Sequence, residues 1–317
     1  MGKEMPSMSQ PLFILQNAAS GKHRIREVHA ALERVLGGAR REYQLTLVRH
    51  RRELGNAVRS VLQRATEREG AIVVAGGDGT INTVANAVLP TGLPFGVLPQ
   101  GTFNYFGRSH GIPEDTDAAV RLLLSAKPQP VQVGLVNDRV ILVNASLGLY
   151  PKLLEDRETA KREFGRSRVV AYLSGLIGLL RERNALQLQM ETRGRRILMK
   201  TPTLFIGNNR LQMESLGMRE APDIGTGRMV ALALRPVGRM SLLKLALFGA
   251  LGSLGSAREV LSFGTDALTV RHEGRDAHPI KLAVDGEILQ LQPPLRFEVS
   301  SQPLYLLKPL PAHCDAQ

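Results

Sequence analysis

Two short stretches pair carboxylates with glycine in a way that could do chemistry. Gly76-Gly77-Asp78-Gly79-Thr80 follows the apolar run 71–75 and precedes residues 81–88, which read as a helix. Strand, glycine turn and helix is the order in which α/β proteins bind phosphate. Glycines can take positive φ and leave no Cβ between backbone N–H groups and a ligand. The following helix points its positive end at the same place. Asp78 puts a carboxylate into that anion site, where it is repelled unless it holds a cation or a proton in transit. The stretch therefore points to Mg-nucleotide chemistry, although Gly-Gly-Asp-Gly alone is also an ordinary tight turn. In Val284-Asp285-Gly286-Glu287, two carboxylates flank a glycine between β-rich runs. Read by itself, that tetrapeptide is a hairpin turn.

The elements that must carry these residues alternate through the first 130 positions. Strands are expected at 11–15, 43–48, 71–75 and 95–98, and helices at 25–36, 51–67, 81–88 and 115–125. Such alternation predicts a parallel, doubly wound sheet with ligands beyond the carboxyl ends of its strands. Asn17, residues 76–80 and residues 101–104 all lie just past strand ends, so three polar loops converge on one edge. After Pro128-Gln129-Pro130 the texture changes to short β-rich runs at 131–136, 140–144, 186–191, 203–207, 229–234, 267–272, 280–284 and 295–299. This region reads as mostly antiparallel, interrupted by helical stretches at 169–183 and 240–253. A last apolar run, 303–307, is expected to return to the first domain.

The 317 residues suggest roughly two domains, and 43% apolar with 22% charged residues is an ordinary globular composition. The lone cysteine, Cys314, allows no disulfide within the chain, which fits a reducing compartment. Residues 1–10 lack the apolar core of a signal peptide, and the apolar runs 169–180 and 242–254 fall short of the ~20 residues a membrane span needs. A cytoplasmic location is expected. The net charge of +12 attracts polyanions, either nucleic acid or an anionic membrane leaflet. With 4% aromatics, no tryptophan and no zinc-finger or RNA-motif spacing, nucleic acid is not expected as a partner.

Taken together, the motifs resemble the diacylglycerol kinase catalytic-domain family, which includes bacterial lipid kinases and sphingosine kinases. The matching residues are Gly76-Gly77-Asp78-Gly79-Thr80-Ile81-Asn82, Leu98-Pro99-Gln100-Gly101-Thr102-Phe103-Asn104, Asn144-Ala145-Ser146-Leu147-Gly148-Leu149-Tyr150-Pro151 and Asp285-Gly286-Glu287. The first of these is shared with NAD kinases and phosphofructokinases. The resemblance implies a three-layer α/β nucleotide-binding domain over 10–132, with 303–310 returning to it. It also implies a mostly antiparallel, β-sandwich-like domain over 133–302, with the active site in the cleft between.

The resemblance further implies roles. Gly76, Gly77 and Gly79 would hold ATP phosphates through their backbone, and Gly101 belongs to the neighbouring loop. Thr80, Asn82, Thr102 and Asn104 would add polar contacts. Asn17 matches the family's early asparagine, with Ala18 in place of the usual proline. Asp78 would position Mg²⁺ or polarise the acceptor, Glu287 would be the general base, and Asp285 would orient or tune it. A structural Mg²⁺ site around residues 221–228 retains only Asp223 as an acidic ligand, because Thr226-Gly227 replaces the usual Asp-Gly. Tyr105 and Gln132 stand where many members carry aspartate.

The implied activity is ATP-dependent phosphorylation of diacylglycerol or a related lipid alcohol by an enzyme peripherally associated with an anionic membrane. Residues 169–180, flanked by basic residues, suit either an interfacial helix or a core helix. An NAD-kinase-like phosphotransferase on a soluble acceptor and a non-catalytic nucleotide- and lipid-binding regulator are the competing readings. Oligomeric state, including a homodimer, stays open.

Overall fold

A computed structural model describes residues 10–18, 22–148, 185–236, 253–273 and 278–310. Leu149-Tyr150-Pro151 of the third motif, the helical stretches at 169–183 and 240–252, and Cys314 lie outside the described residues. The chain divides into two compact units. One runs to Gln132 and resumes at Ser301, and the other is Val133–Ser300.

The first unit is built on β1 (Leu12–Asn17), β2 (Tyr43–Val48), β3 (Ala71–Gly76), β4 (Phe95–Pro99), β5 (Lys127–Val131) and the chain's last strand, β18 (Leu304–Lys308). They form one six-stranded sheet in the order β2-β1-β3-β4-β18-β5. All neighbours are parallel except β5, which runs antiparallel to β18. Consecutive apolar residues bury both faces, as a sheet covered by helices on each side requires. On one face Leu12, Ile14, Val73, Ala75 and Leu98 pack with Val28 and Leu32 of α1 (Lys22–Leu32) and Val120 and Leu123 of α5 (Thr116–Ser125). Helices α2 (Leu54–Glu67) and α3 (Asp78–Val88) lie on the sheet as well and touch each other. The short α4 (Tyr105–Ser109) follows β4.

Two elements of this unit escape sequence patterning. Strand β5 carries Pro128 and Pro130, which are tolerated because β5 is an edge strand. Helix α3 begins at Asp78, not at Ile81, so Gly79 and Thr80 belong to its first turn.

The second unit has two six-stranded sheets, every neighbouring pair antiparallel. Its strands are β6 (Gly134–Val136), β7 (Arg139–Ile141), β8 (Asn144–Gly148), β9 (Leu186–Thr192), β10 (Arg195–Thr201), β11 (Thr203–Gly207), β12 (Met229–Leu234), β13 (Val260–Thr265), β14 (Ala267–His272), β15 (Ile280–Val284), β16 (Glu287–Leu291) and β17 (Leu295–Val299). The sheet orders are β10-β9-β14-β17-β6-β7 and β13-β12-β11-β8-β15-β16. Alternate residues of both, among them Met190, Val270 and Phe297 from one and Leu147, Ile206 and Leu282 from the other, share one core, which makes the unit a sandwich. A smaller cluster around Met213 of α6 (Arg210–Ser215), Met218, Val230 and Leu232 covers the outer side of β12. Strand β10 reads in sequence as a basic cluster, because Ile197 and Met199 are its only apolar residues to alternate inward along an exposed edge.

Candidate active site

The strand order of the first unit sets where a ligand can lie. From β1 the chain moves to β2 on one side and then to β3 on the other, so the crevice at the carboxyl ends of β1 and β3 is the topological switch point. Asn17 ends β1, and the glycine stretch begins at the end of β3. The Asn17 Nδ2 donates to Thr80 Oγ1 at 2.8 Å across that crevice. Helix α3 has Gly77 as its N-cap residue and no side-chain cap. The N–H groups of Asp78, Gly79 and Thr80 therefore have no intrahelical acceptor, and they face the region where the helix dipole favours an anion.

Positive φ is not what glycine supplies in this stretch. Gly77 is extended, with φ −86° and ψ 173°, and Gly76 and Gly79 lie in a regular strand and helix. What requires glycine is close approach. A Cβ on Gly76 would sit 2.8 Å from Thr80 Cβ, and one on Gly101 would sit 3.0 Å from Gly77 Cα. The two loops thus pack backbone to backbone, and the Gln100 N–H donates to the Gly76 carbonyl at 2.8 Å.

The second loop is held by its own asparagine. Asn104 sits at φ 50°, a left-handed conformation that asparagine tolerates better than most residues. Its Oδ1 accepts from the Gly101 N–H at 2.7 Å, and its Nδ2 donates to Glu114 Oε1 at 3.0 Å. Asn104, expected as a nucleotide contact, is thus committed to loop shape. Thr102 is exposed, and Phe103 stacks on Tyr105 with ring centroids 5.7 Å apart. Asn82 is buried one turn into α3, where its Oδ1 accepts from Asn86 Nδ2 at 2.8 Å. Arg24, not singled out from the sequence, reaches the same edge and donates to the Gln100 carbonyl at 2.5 Å. A basic residue in the first turn of the helix after the Asn17 loop is the signal that could have marked it.

Asp78 joins the two loops. Its Oδ1 lies 3.4 Å from the Phe106 N–H. Burial pushes its carboxyl above the ordinary carboxylate value, and the N–H groups of Phe106, Tyr105 and Asn104 pull the other way. A desolvated carboxylate beside uncapped N–H groups suits Mg²⁺, which typically takes one or two carboxylates together with substrate phosphates.

Asp223, the expected ligand of a structural metal, lies beside a cation of the chain. Its carboxylate lies 3.4 Å from Arg228 Nη1, which supplies the compensating charge. No cluster of three metal-ligating side chains occurs among the described residues.

In the second unit, Asp285 and Gly286 form the two-residue turn between β15 and β16, with φ of 47° and 85°. Glu287, half-buried, opens β16 opposite Val284. Asp285 is buried, and its carboxylate accepts from the backbone N–H groups of Leu142, Val143 and Asn144, each at 2.8 Å.

The model of the diacylglycerol kinase catalytic domain matches residues 11–136. A probable lipid kinase YegS-like protein of Cronobacter sakazakii is 30% identical over 268 residues, 83% of this chain and 85% of that one. The chain belongs to the diacylglycerol kinase catalytic-domain family. It is a kinase of that family. A YegS-like relative from Enterobacter sp. is 28% identical, and the alignment spans 98% of this chain and 99% of that protein. The match to a YegS-like relative from Klebsiella pneumoniae is 31% identical but spans 57% of that protein, and the match to the Synechocystis protein sll0036 spans 32% of its length. A crystal structure of a diacylglycerol kinase from Bacillus anthracis superposes with a TM-score of 0.70 at 18% identity, over 97% of this chain and 99% of that one, and so shares the fold. No helix among the described residues is long and apolar enough to cross a membrane.

Proposed function

We propose that this kinase transfers the γ-phosphate of ATP to a hydroxyl of diacylglycerol or a related lipid alcohol. The observation that carries the reading is the pairing of Asn17 with Thr80 across the switch point, beside the uncapped N–H groups of α3. That arrangement suits a nucleotide phosphate chain. The kinship with lipid kinases supports a lipid acceptor.

Phosphoryl transfer demands positioning and charge neutralisation more than covalent chemistry. The N–H groups of Asp78, Gly79 and Thr80 bind phosphate oxygens, and Arg24 adds positive charge at the same edge. Asp78 and the nucleotide phosphates would hold Mg²⁺, which neutralises charge on the transferring group. Glu287 accepts the proton of the acceptor hydroxyl as its oxygen bonds to the γ-phosphorus. The bond from that phosphorus to the bridging oxygen breaks, and ADP leaves. A base of this kind contributes roughly 10²–10⁴-fold to the rate. The net charge of +12 supports work at an anionic membrane surface from the cytoplasmic side.

The test is incubation with Mg-ATP and vesicles containing diacylglycerol, reading formation of the phosphorylated lipid. Production of phosphatidic acid supports the assignment, and a protein that binds ATP but phosphorylates no lipid alcohol contradicts it.

A further inference from the structure

The loop after β4 holds an aromatic pair at the edge where phosphate is proposed to bind. The Phe103 and Tyr105 rings stack with centroids 5.7 Å apart and planes 9° from parallel. Phe103 is 42% exposed. Of the exposed large hydrophobic side chains among the described residues, Phe103, Leu198, Tyr305 and Leu310, only Phe103 belongs to the loop that meets Asp78. The loop is pinned by residues other than the rings. Asn104, left-handed at φ 50°, bonds Gly101 through Oδ1 and Glu114 through Nδ2. Arg108 Nη1 donates to the Phe103 carbonyl at 3.4 Å, and buried Phe106 packs edge-on against His110 at 4.9 Å. An apolar surface held this firmly loses little conformational freedom when a ligand covers it.

Its position decides which part of the reaction it borders. The Phe106 N–H lies 3.4 Å from Asp78 Oδ1, and the N–H groups of Tyr105 and Asn104 also interact with that carboxylate. Asp78, as the proposed metal ligand, marks the end of the triphosphate at which transfer occurs. The nucleoside lies at the other end, so the rings border the acceptor and not the base. Tyr105 stands where many members of the family carry aspartate. A ring in that place spares an apolar acceptor the cost of desolvating a charge.

We infer that Phe103 and Tyr105 determine acceptor specificity: their rings pack against the apolar part of the lipid next to the hydroxyl that is phosphorylated. The acceptor class they select is an alcohol carrying acyl or alkyl chains, and soluble polyols gain nothing from them. This inference rests on the reading of the protein as a lipid-alcohol kinase.

The experiment compares the full chain with Phe103→Ala and Phe103→Leu, using Mg-ATP and dihexanoylglycerol kept monomeric in solution. F103A is expected to raise the KM for dihexanoylglycerol about 10-fold, the scale of losing one ring's apolar contact, with the ATP KM within about twofold of the parent's. F103L keeps apolar area and is expected to recover most of that loss. An unchanged acceptor KM in F103A overturns the inference, because a ring that only inserts into bilayers does not affect a monomeric acceptor. A rise in the ATP KM alone also overturns it and assigns the rings to the base. If the unsubstituted protein phosphorylates no lipid alcohol, in solution or in vesicles, the functional reading fails and this inference with it. A second measurement decides the matter if F103A does not fold or if only acceptors in vesicles are phosphorylated. The chain has no tryptophan, so Phe103→Trp supplies a single indole reporter. With a non-hydrolysable ATP analogue bound, the F103W emission is expected to shift to the blue when diacylglycerol is present in phosphatidylserine–phosphatidylcholine vesicles, beyond any shift that the same vesicles cause without it. No added shift overturns the inference.

Discussion

Asn17, the last residue of β1, and Thr80, in the first turn of the helix that follows the neighbouring parallel strand β3, meet through a 2.8 Å hydrogen bond. The bond spans the point where the chain reverses direction across the sheet, so each residue is placed by a different βα unit. This junction ties the early asparagine to the first turn of α3, whose N–H groups are the proposed phosphate donors.

Removing either partner loosens that junction. Asn17→Ala is expected to weaken ATP binding about 3- to 10-fold, in line with the ~0.5–1.5 kcal/mol net value of one hydrogen bond. Isothermal titration with ATP reads the change. Thr80→Val should reproduce it, and the double variant should be no worse than either single one.

Close packing of the two loops makes a sharper demand. A Cβ on Gly101 would meet Asn104 Oδ1 at 2.7 Å and Gly77 Cα at 3.0 Å, and the second of these is backbone. Gly101→Ala is expected to destabilise the protein by about 1–3 kcal/mol, the usual cost of overpacking, and to weaken ATP binding as the loops separate. Gly37→Ala is the control. A Cβ there meets nothing within 4 Å, so its melting temperature should match or exceed the parent's.

Much of this fold is legible in the sequence, because continuous apolar strands alternate with amphipathic helices in the first unit and short β runs dominate the second. The elements that escape are those whose neighbours override local pattern. Strand β5 holds two prolines that only an edge tolerates, and β10 shows the solvent a basic face. The site divides the same way. Gly76, Gly77, Asp78, Thr80 and Asn17 are recognisable from glycine spacing and position after strands, and the structure gathers them at one sheet edge. The hydrogen-bond partners of Asn104 and Asp285, Glu114 and residues 142–144, were not readable, because they are set by tertiary contacts. The ion pair of Asp223 with Arg228, five residues on, was likewise not read from the sequence.

Asp78 carries a stability cost tied to its proposed role. Burial raises its carboxyl above the value of 3.8 expected in the unfolded chain, so folding favours the protonated form. The stabilisation is present below that unfolded value and is lost as pH rises through the raised one. Asp78→Asn should therefore melt at a higher temperature than the parent near neutral pH. The difference should shrink as pH falls toward 4, and kinase activity should be lost throughout. Calorimetry across that range, paired with the activity assay, reads both trends.

His110 works in the opposite sense. Burial, and secondarily the charge of Lys308, holds its imidazole down from 6.5 to about 4, and its ring packs edge-on against Phe106. Its neutral form contributes stability above the unfolded value of 6.5, and that stability is lost as pH falls through about 4. His110→Gln is expected to flatten the fall in melting temperature between those two values, as followed by thermal unfolding in a series of buffers.

The most direct measurement is transfer of label from γ-phosphate-labelled ATP, with Mg²⁺, to a panel of membrane lipid alcohols in anionic vesicles and to NAD in the same reaction. Label should appear in a lipid, and Glu287→Gln should abolish it while ATP binding persists. Label in NAD, or in neither acceptor with ATP binding intact, would contradict the assignment.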